Sequence, residues 1–168
     1  MNIRKATEAD VPRMMDLYAR ARSFMAAHGN PKQWGATNWP PEQLIHRDIE
    51  AGCSYVCVCG GRIVGTFFYT AGVDIEPTYR NIEDGAWHGT GPYGVVHRIA
   101  SDGVTKGVGS FCLNWAFRQC GNLRIDTHDD NWVMQNLLTK LGFSYRGIIH
   151  VEEDDDPRLA YEKTEDEL

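Results

Sequence analysis

The sequence predicts an α/β fold in which a central mixed β-sheet is flanked by helices on both faces. Two strand–helix units predict its parallel part: an apolar run at 93–101 precedes a glycine-rich turn and an amphipathic helix, and a run at 123–128 precedes another. Hairpin signals on either side of these units predict antiparallel strands as well. Parallel and antiparallel pairs in one chain indicate a mixed sheet covered by helices.

Local signals place the remaining elements. Thr7-Glu-Ala-Asp10 is a capping signal for a helix that is predicted to run to about Ala27. Gly60-Gly61 is a two-residue hairpin turn, and the polar segment 74–91 is predicted to be a loop with one helical turn. The predicted order is β-α-α-β-β-β-α-β-α-β-β, with elements at about 2–5, 7–27, 42–51, 54–59, 62–70, 93–101, 110–120, 123–128, 131–141, 144–151 and 158–163.

Size and composition limit the possible classes of protein. A chain of 168 residues with 42% hydrophobic and 24% charged residues is expected to form one globular domain, 1–168. The net charge of −6, without a basic stripe, argues against a nucleic-acid partner. No apolar run approaches the roughly 18 residues of a membrane-spanning helix, and Met1-Asn-Ile-Arg-Lys does not resemble a signal peptide. The sequence therefore predicts a cytoplasmic protein without a membrane partner.

The five cysteines are predicted to be reduced and to fill the core. Cys53, Cys57 and Cys59 have even spacings on a predicted strand, which would place them on one side of it. The chain contains no C-x-x-C motif, and no histidine pair completes a ligand set, so no metal site is predicted.

The turn before the third long helix is the strongest functional signal. Gly107-Val-Gly109 at a helix start would point several free backbone N–H groups at one spot, which favours a phosphate. A tight turn without a ligand is the alternative. The turn does not match a nucleotide P-loop, because Lys106 precedes the glycine, nor a dinucleotide fingerprint, because Cys112 replaces the third glycine.

The order of the predicted elements and the glycine turn make this sequence resemble the GNAT superfamily of N-acetyltransferases, which use acetyl-CoA. The resemblance covers nearly the whole chain and is strongest from Tyr93 to Phe143. It implies that the family's Gln/Arg-x-x-Gly-x-Gly/Ala turn, which wraps the CoA pyrophosphate, corresponds to 104–109, with a valine in place of the usual polar residue. The implied cofactor-binding residues of this turn are Val104, Lys106, Gly107, Val108, Gly109 and Ser110.

The same resemblance implies two further contacts with acetyl-CoA. The backbone of Ile99, Ala100 and Ser101 would hold the pantetheine arm, and an N–H group there would polarise the thioester carbonyl. Asn131 corresponds to the family asparagine that opens a helix and contacts CoA. It also fits a helix N-cap, and the two roles are compatible.

Acetylation of an alkylamine requires a general base, because only about one such molecule in a thousand is neutral at pH 7. His97 is the leading candidate, and a hydrogen-bonded sheet histidine is the alternative. Asp126 and His128 alternate along one strand, so they form either an acid–base pair or a structural network. Arg98 should face away from His97 and is expected to pair with an acid such as Asp126.

The acceptor side is less defined. Many GNAT proteins have a tyrosine that protonates the leaving thiolate where this chain has Leu138, and Tyr145 is not expected to replace it. The pocket wall is expected to include Tyr18, Trp34 and Trp39, for which core packing is the alternative role.

The resulting functional prediction is transfer of an acetyl group from acetyl-CoA to a primary amine of a small molecule or peptide, by direct attack on the thioester. A non-catalytic acyl-CoA-binding module is the main alternative, and a nucleotide-binding protein is a third. The sequence does not specify the acceptor. A homodimer through a sheet edge or the C-terminal hairpin is a further expectation.

Overall fold

The computed structural model describes residues 1–167, which contain seven strands and four α-helices. Three short 3₁₀ turns lie at Glu8–Asp10, Pro77–Tyr79 and Glu165–Glu167. The main elements are β1 (Asn2–Lys5), α1 (Val11–Ala27), α2 (Glu42–Glu50), β2 (Ser54–Cys59), β3 (Arg62–Gly72), β4 (Tyr93–Ser101), α3 (Val108–Cys120), β5 (Asn122–His128), α4 (Trp132–Lys140), β6 (Ser144–His150) and β7 (Pro157–Thr164).

The strands form one seven-stranded sheet in the order β1-β2-β3-β4-β5-β7-β6. β4 and β5 are parallel, with Gly94 opposite Leu123 and Val95 opposite Arg124. The pairs β1–β2, β2–β3, β5–β7 and β6–β7 are antiparallel. The predicted mixed sheet flanked by helices is therefore confirmed.

The chain divides into two compact units. The first comprises Met1–Tyr69 and His97–Trp115, and the second comprises Thr70–Val96 and Ala116–Leu168. Because β4 and α3 each contribute to both units, the units are interwoven along the chain. The single-domain organisation stays a prediction.

The first unit has an apolar core below α1. The predicted capping signal precedes a 3₁₀ turn rather than the α-helix itself, and the backbone N–H of Thr7 donates to Asp10 Oδ2 at 2.8 Å. Arg4 donates to the same carboxylate at 2.7 Å. Buried residues from the strands and helices fill the core beneath: Ala6, Val11, Met14, Tyr18, Ile45, Val56 and Ala100.

The second unit is organised around Glu162 of β7, whose side chain is fully buried. Arg124 of β5 and Arg146 of β6 donate to its two carboxylate oxygens at 3.0 and 3.1 Å. The backbone N–H groups of His88 and Gly89 donate to the same oxygens at 2.6 and 3.2 Å. The Glu162 carboxylate therefore connects β5, β6 and β7 to the loop between β3 and β4.

That loop also covers part of the sheet edge at β6. Glu83 and Ile148 exchange two backbone hydrogen bonds of 2.8 Å and form an isolated antiparallel bridge. The β6 edge of the sheet is thus partly covered by the chain itself, which is a common way for proteins to protect an unpaired edge. A homodimer stays a prediction.

Two details differ from the sequence-based expectation. α3 begins at Val108 rather than near Ser110, so the glycine turn is part of the helix start. The β2–β3 register shifts between Cys57 and Val58, which breaks the even alternation expected for the cysteines. Within residues 1–167, no helix is long and apolar enough to cross a membrane.

Candidate functional site

The glycine turn between β4 and α3 lies at the surface of the first unit. Gly103, Lys106 and Gly107 are exposed, whereas Val108 is buried. Gly107 has φ +79°, a left-handed conformation that glycine adopts without steric cost, and a Cβ built there would meet no atom within 4 Å. The turn is therefore open on the side that this residue faces.

The start of α3 supplies backbone hydrogen-bond donors beside this open space. The first helical bond runs from the N–H of Phe111 to the carbonyl of Gly107 at 2.9 Å. The N–H groups of Val108, Gly109 and Ser110 precede it and, as in the first turn of any helix, have no acceptor within the helix. Free N–H groups and the helix dipole favour an anion here.

The beginning of the same turn is closed by Asp102. Its carboxylate accepts the N–H groups of Val104 and Thr105 at 3.1 and 2.8 Å, and the hydroxyl of Thr105 at 2.8 Å. Burial alone would raise the pKa of Asp102, but these hydrogen bonds outweigh it and lower the pKa below its usual value. Because Asp102 engages the N–H groups of Val104 and Thr105, the candidate donors for an anion are the N–H groups that follow, at 106–110.

Val104 is the predicted cofactor residue most affected by this arrangement. Its N–H is engaged by Asp102, and its side chain is 77% exposed. It offers a cofactor only apolar contact.

The start of α3 packs closely on β3. A Cβ built on Gly65 would lie only 2.5 Å from Cγ1 of Val108. Such an approach of α3 to β3 requires glycine at 65.

Asn131 opens α4 in the second unit. Its Oδ1 accepts the N–H of Met134 at 3.1 Å, which is the predicted N-cap. The contact of Asn131 with CoA stays a prediction.

Asn131→Asp separates these two roles. The carboxylate keeps the capping oxygen, so we expect stability close to that of the unmodified protein, whereas Asn131→Ala should lose about 1 kcal/mol. If the amide contacts CoA, Asn131→Asp should weaken CoA binding about tenfold, because it places a negative charge beside an anion. Urea unfolding and calorimetric titration measure the two effects. Unchanged CoA affinity of Asn131→Asp would leave Asn131 as a cap alone.

His97 lies near the middle of β4 and is partly buried. Its ring stacks on Phe68 of β3, with centroids 5.8 Å apart and an interplanar angle of 29°. This contact fixes the plane of the imidazole. It is compatible with a base and with a structural histidine, so the catalytic role stays a prediction.

Arg98 differs from its expected arrangement. Its Nε and Nη2 donate to Asp48 Oδ2 of α2 at 3.1 and 2.8 Å. The expected pairing with Asp126 is therefore corrected. The cause lies in the backbone, because Arg98 has φ +50° and so breaks the alternation of side chains along β4. For a residue other than glycine this conformation costs about 1–2 kcal/mol.

Asp126 of β5 forms a hydrogen bond with Tyr79 that the sequence did not indicate. The hydroxyl of Tyr79 donates to Asp126 Oδ1 at 2.6 Å. Burial, and then the charge of Asp126, raises the pKa of Tyr79 well above its usual value, so its proton stays on the hydroxyl. The bond fixes the 3₁₀ turn of the β3–β4 loop to β5, which supports the structural role for Asp126.

His128 lies in a buried corner at the end of β5. Its Nε2 is 2.9 Å from Asp156 Oδ2, and its Nδ1 accepts the backbone N–H of Asp130 at 3.0 Å. Ligand atoms of His128, Asp129 and Asp130 lie within 4.8 Å of one another, a spacing that a cation could use. The backbone N–H that Nδ1 accepts occupies the lone pair that a cation would need at that atom. The absence of a metal site stays a prediction.

The aromatic residues predicted for the acceptor pocket have different environments. Tyr18 is only 1% exposed and its hydroxyl donates to the carbonyl of Arg98 at 3.0 Å, so it offers an acceptor almost no surface. Trp34 is partly buried and packs edge-on against Tyr18, with centroids 5.9 Å apart. Trp39 is partly buried, and its carbonyl accepts from Arg22 at 3.0 Å. Trp34 and Trp39 remain candidates for the pocket wall.

The first unit thus contains the glycine turn, the 99–101 segment, His97 and all three aromatic residues, and the second contains Asp126, His128 and Asn131. Sequence reasoning assigned no role to Asp48 or Asp102, and it did not pair Tyr79 with Asp126. An aspartate directly before a glycine turn is a turn signal that could have identified Asp102. Nothing comparable marks Asp48, which occupies the apolar face of α2 beside Ile45.

Solved structures share this fold over almost the whole chain. A GNAT-family acetyltransferase from Streptococcus agalactiae 2603 is 29% identical, with 98% of this chain and 95% of that chain aligned and a TM-score of 0.87. A GNAT-family acetyltransferase from Listeria monocytogenes 4b F2365 is 16% identical, with 96% and 93% aligned and a TM-score of 0.68. A ribosomal-protein-alanine N-acetyltransferase from Brucella melitensis is 17% identical, with 98% and 99% aligned and a TM-score of 0.64. No family model and no curated protein sequence matches the chain.

Proposed function

We propose, from the premise that this chain belongs to the GNAT superfamily of acetyltransferases, that it moves the acetyl group of acetyl-CoA to a primary amine of a small molecule or peptide. The observation that most supports use of CoA is the open turn at Gly107, with the N–H groups of the first helical turn, those of Val108, Gly109 and Ser110, beside it. A diphosphate fits such a site, because backbone donors and a helix N-terminus both favour negative charge.

The protein binds and orients acetyl-CoA and the amine, and acetyl-CoA supplies the activated acyl group. The turn holds the diphosphate, Lys106 adds an exposed positive charge, and the backbone of 99–101 directs the pantetheine arm along β4. An N–H group of that segment stabilises the negative charge that develops on the thioester oxygen when the amine attacks. His97 accepts the proton of the amine, directly or through water.

Thiol release tests this proposal. The protein would be incubated with acetyl-CoA and a broad panel of amines and amino-terminal peptides, and free CoA would be measured with a thiol reagent. We expect amine-dependent release and an acetylated product detectable by mass spectrometry. Thermal stabilisation by ATP or NAD, without stabilisation by CoA, would contradict the proposal.

His97→Ala tests the base. The substitution should lower kcat about 100-fold and change CoA affinity little, because general-base catalysis contributes about 10²–10⁴-fold. The acidic limb of the pH–rate profile should also disappear, since no imidazole remains to be deprotonated. Profiles of the same shape in both proteins would mean that another group accepts the proton.

A second candidate is a non-catalytic acyl-CoA-binding module. The specific observation in its favour is Leu138, which is fully buried where many GNAT proteins carry a tyrosine acid. The observation is compatible with catalysis, because a thiol of pKa about 8–9 leaves as an anion without much assistance. CoA binding without turnover of any amine in the panel would favour the module.

A further inference from the structure

Arg98 is held in an unusual conformation in the middle of β4. Its φ of +50° is in the left-handed region, which residues other than glycine rarely occupy within a strand. Such conformations persist only where the surroundings determine them, and they concentrate at functional sites. The next residues along the strand, 99–101, are those proposed to contact the thioester arm.

The side chain of Arg98 is fixed first by Asp48. Two guanidinium nitrogens donate to one carboxylate oxygen at 3.1 and 2.8 Å. Both side chains are nearly buried, with 12% of Arg98 and 9% of Asp48 exposed, so water competes little with this ion pair. The guanidinium carbon also lies 4.7 Å from the centre of the Phe68 ring, which adds a cation–π contact.

The carbonyl of the same residue is fixed by Tyr18 of α1. Its buried hydroxyl donates to Arg98 O at 3.0 Å. Burial raises the pKa of Tyr18 to about 12, so the hydroxyl keeps its proton and remains a donor at neutral pH. Two helices thus hold one residue of β4, α2 through the side chain and α1 through the backbone.

We infer that Asp48 and Tyr18 are positioning residues that hold the bend at Arg98 and thereby aim a backbone N–H of 99–101 at the thioester carbonyl. The inference rests on the proposed function, because it assigns a use to that N–H. Its physical basis is that a left-handed residue rotates the peptide groups after it. Without its two anchors Arg98 would relax towards an extended conformation, and the direction of the following N–H groups would change.

Asp48→Asn is the main test, since it keeps the shape and one acceptor oxygen but removes the charge that holds Arg98. We expect kcat with acetyl-CoA to fall about tenfold to 100-fold, because misplacing a group by about 1 Å can cost 100-fold. The affinity for free CoA should fall clearly less than kcat, because free CoA has no thioester carbonyl and loses only part of the contacts of its pantetheine arm with 99–101. Amide hydrogen exchange at 98–101 should be faster in the unliganded variant.

Two further variants separate positioning from general loss of stability. Tyr18→Phe removes a single hydroxyl and should give the same pattern with a smaller fall in kcat, so a folded variant is available even if Asp48→Asn unfolds. Asp10→Asn is the matched control, because Asp10 is also a buried aspartate bonded to an arginine, Arg4, in the same unit. It should lower the melting temperature without changing kcat below that temperature.

The carbonyl itself provides a readout that does not depend on turnover. With acetyl-CoA labelled with ¹³C at the carbonyl carbon, the bound signal should move downfield in the unmodified protein and less in Asp48→Asn. Equal carbonyl shifts, or unchanged kcat together with unchanged exchange at 98–101, would overturn the inference and leave the proposed function standing. If the unmodified protein does not bind CoA at all, the proposed function and the inference fail together.

Discussion

Gly109→Glu is expected to abolish measurable binding of CoA and acetyl-CoA while the protein remains folded. Gly109 lies in the first turn of α3, and its φ is not in the left-handed region, so a side chain there does not strain the backbone. A carboxylate near a helix N-terminus stabilises the helix by about 0.3–1 kcal/mol. The same carboxylate would occupy the proposed anion site and repel the diphosphate.

The matched variant Gly109→Gln has nearly the same size without the charge. We expect it to weaken CoA binding about tenfold and Gly109→Glu at least about 100-fold, since a like charge at about 4 Å and an effective dielectric constant of about 20 costs several kcal/mol. Calorimetric titration gives both affinities, and circular dichroism verifies that both variants are folded. If Gly109→Glu and the unmodified protein bound CoA with equal affinity, the glycine turn would not be part of the CoA site.

Glu162→Gln should have the largest effect on stability. The buried carboxylate accepts from Arg124, Arg146 and two backbone N–H groups of the β3–β4 loop. An amide loses the charge and turns an NH₂ group towards these donors, so Arg124 loses its counter-ion and Arg146 keeps only its ion pair with Glu167. Breaking a buried ion pair from one side costs about 3–5 kcal/mol, which is a large part of a total stability of about 5–15 kcal/mol.

The aromatic neighbours of Arg124 prevent its unpaired guanidinium from moving into water in the Glu162→Gln variant. Its guanidinium carbon lies 4.5 Å from the Trp87 ring centre and 4.0 Å from the Tyr93 ring centre, and Nη2 donates to the carbonyl of Gly89 at 2.7 Å. The arginine therefore cannot turn to water without unpacking the loop. Denaturant unfolding measures the change, with Glu152→Gln as an exposed control expected within about 0.5 kcal/mol of the unmodified protein. If Glu162→Gln lowered the free energy of unfolding as little as Glu152→Gln, the Glu162 carboxylate would not organise the second unit.

The fold was largely predictable because its elements follow from local patterns. Gly60-Gly61 predicted the β2–β3 hairpin, and the structure ends β2 at Cys59 and begins β3 at Arg62. Apolar periodicity likewise located α3 and α4. What the patterns did not show is where a strand bends, because the left-handed conformation of Arg98 depends on tertiary contacts with Asp48 and Tyr18 and not on its own sequence neighbours.

The part of the candidate site that consists of backbone groups was predictable from the sequence. Gly107 and the helix start at Val108 supply donors whose positions follow from helix geometry. Side-chain partners were less predictable, since Asp126 bonds to Tyr79, 47 positions away along the chain. A contact of that separation leaves no periodic signal, and for the same reason Arg98 was assigned the wrong acid.

Amide NMR during a titration with CoA tests the central claim most directly. The backbone N–H resonances of 107–110 should shift strongly and in proportion to occupancy, because hydrogen bonds to a diphosphate replace bonds to water. The N–H groups of Val104 and Thr105, which donate to Asp102, should shift less. Saturation with CoA that leaves the 107–110 resonances unmoved would contradict the account.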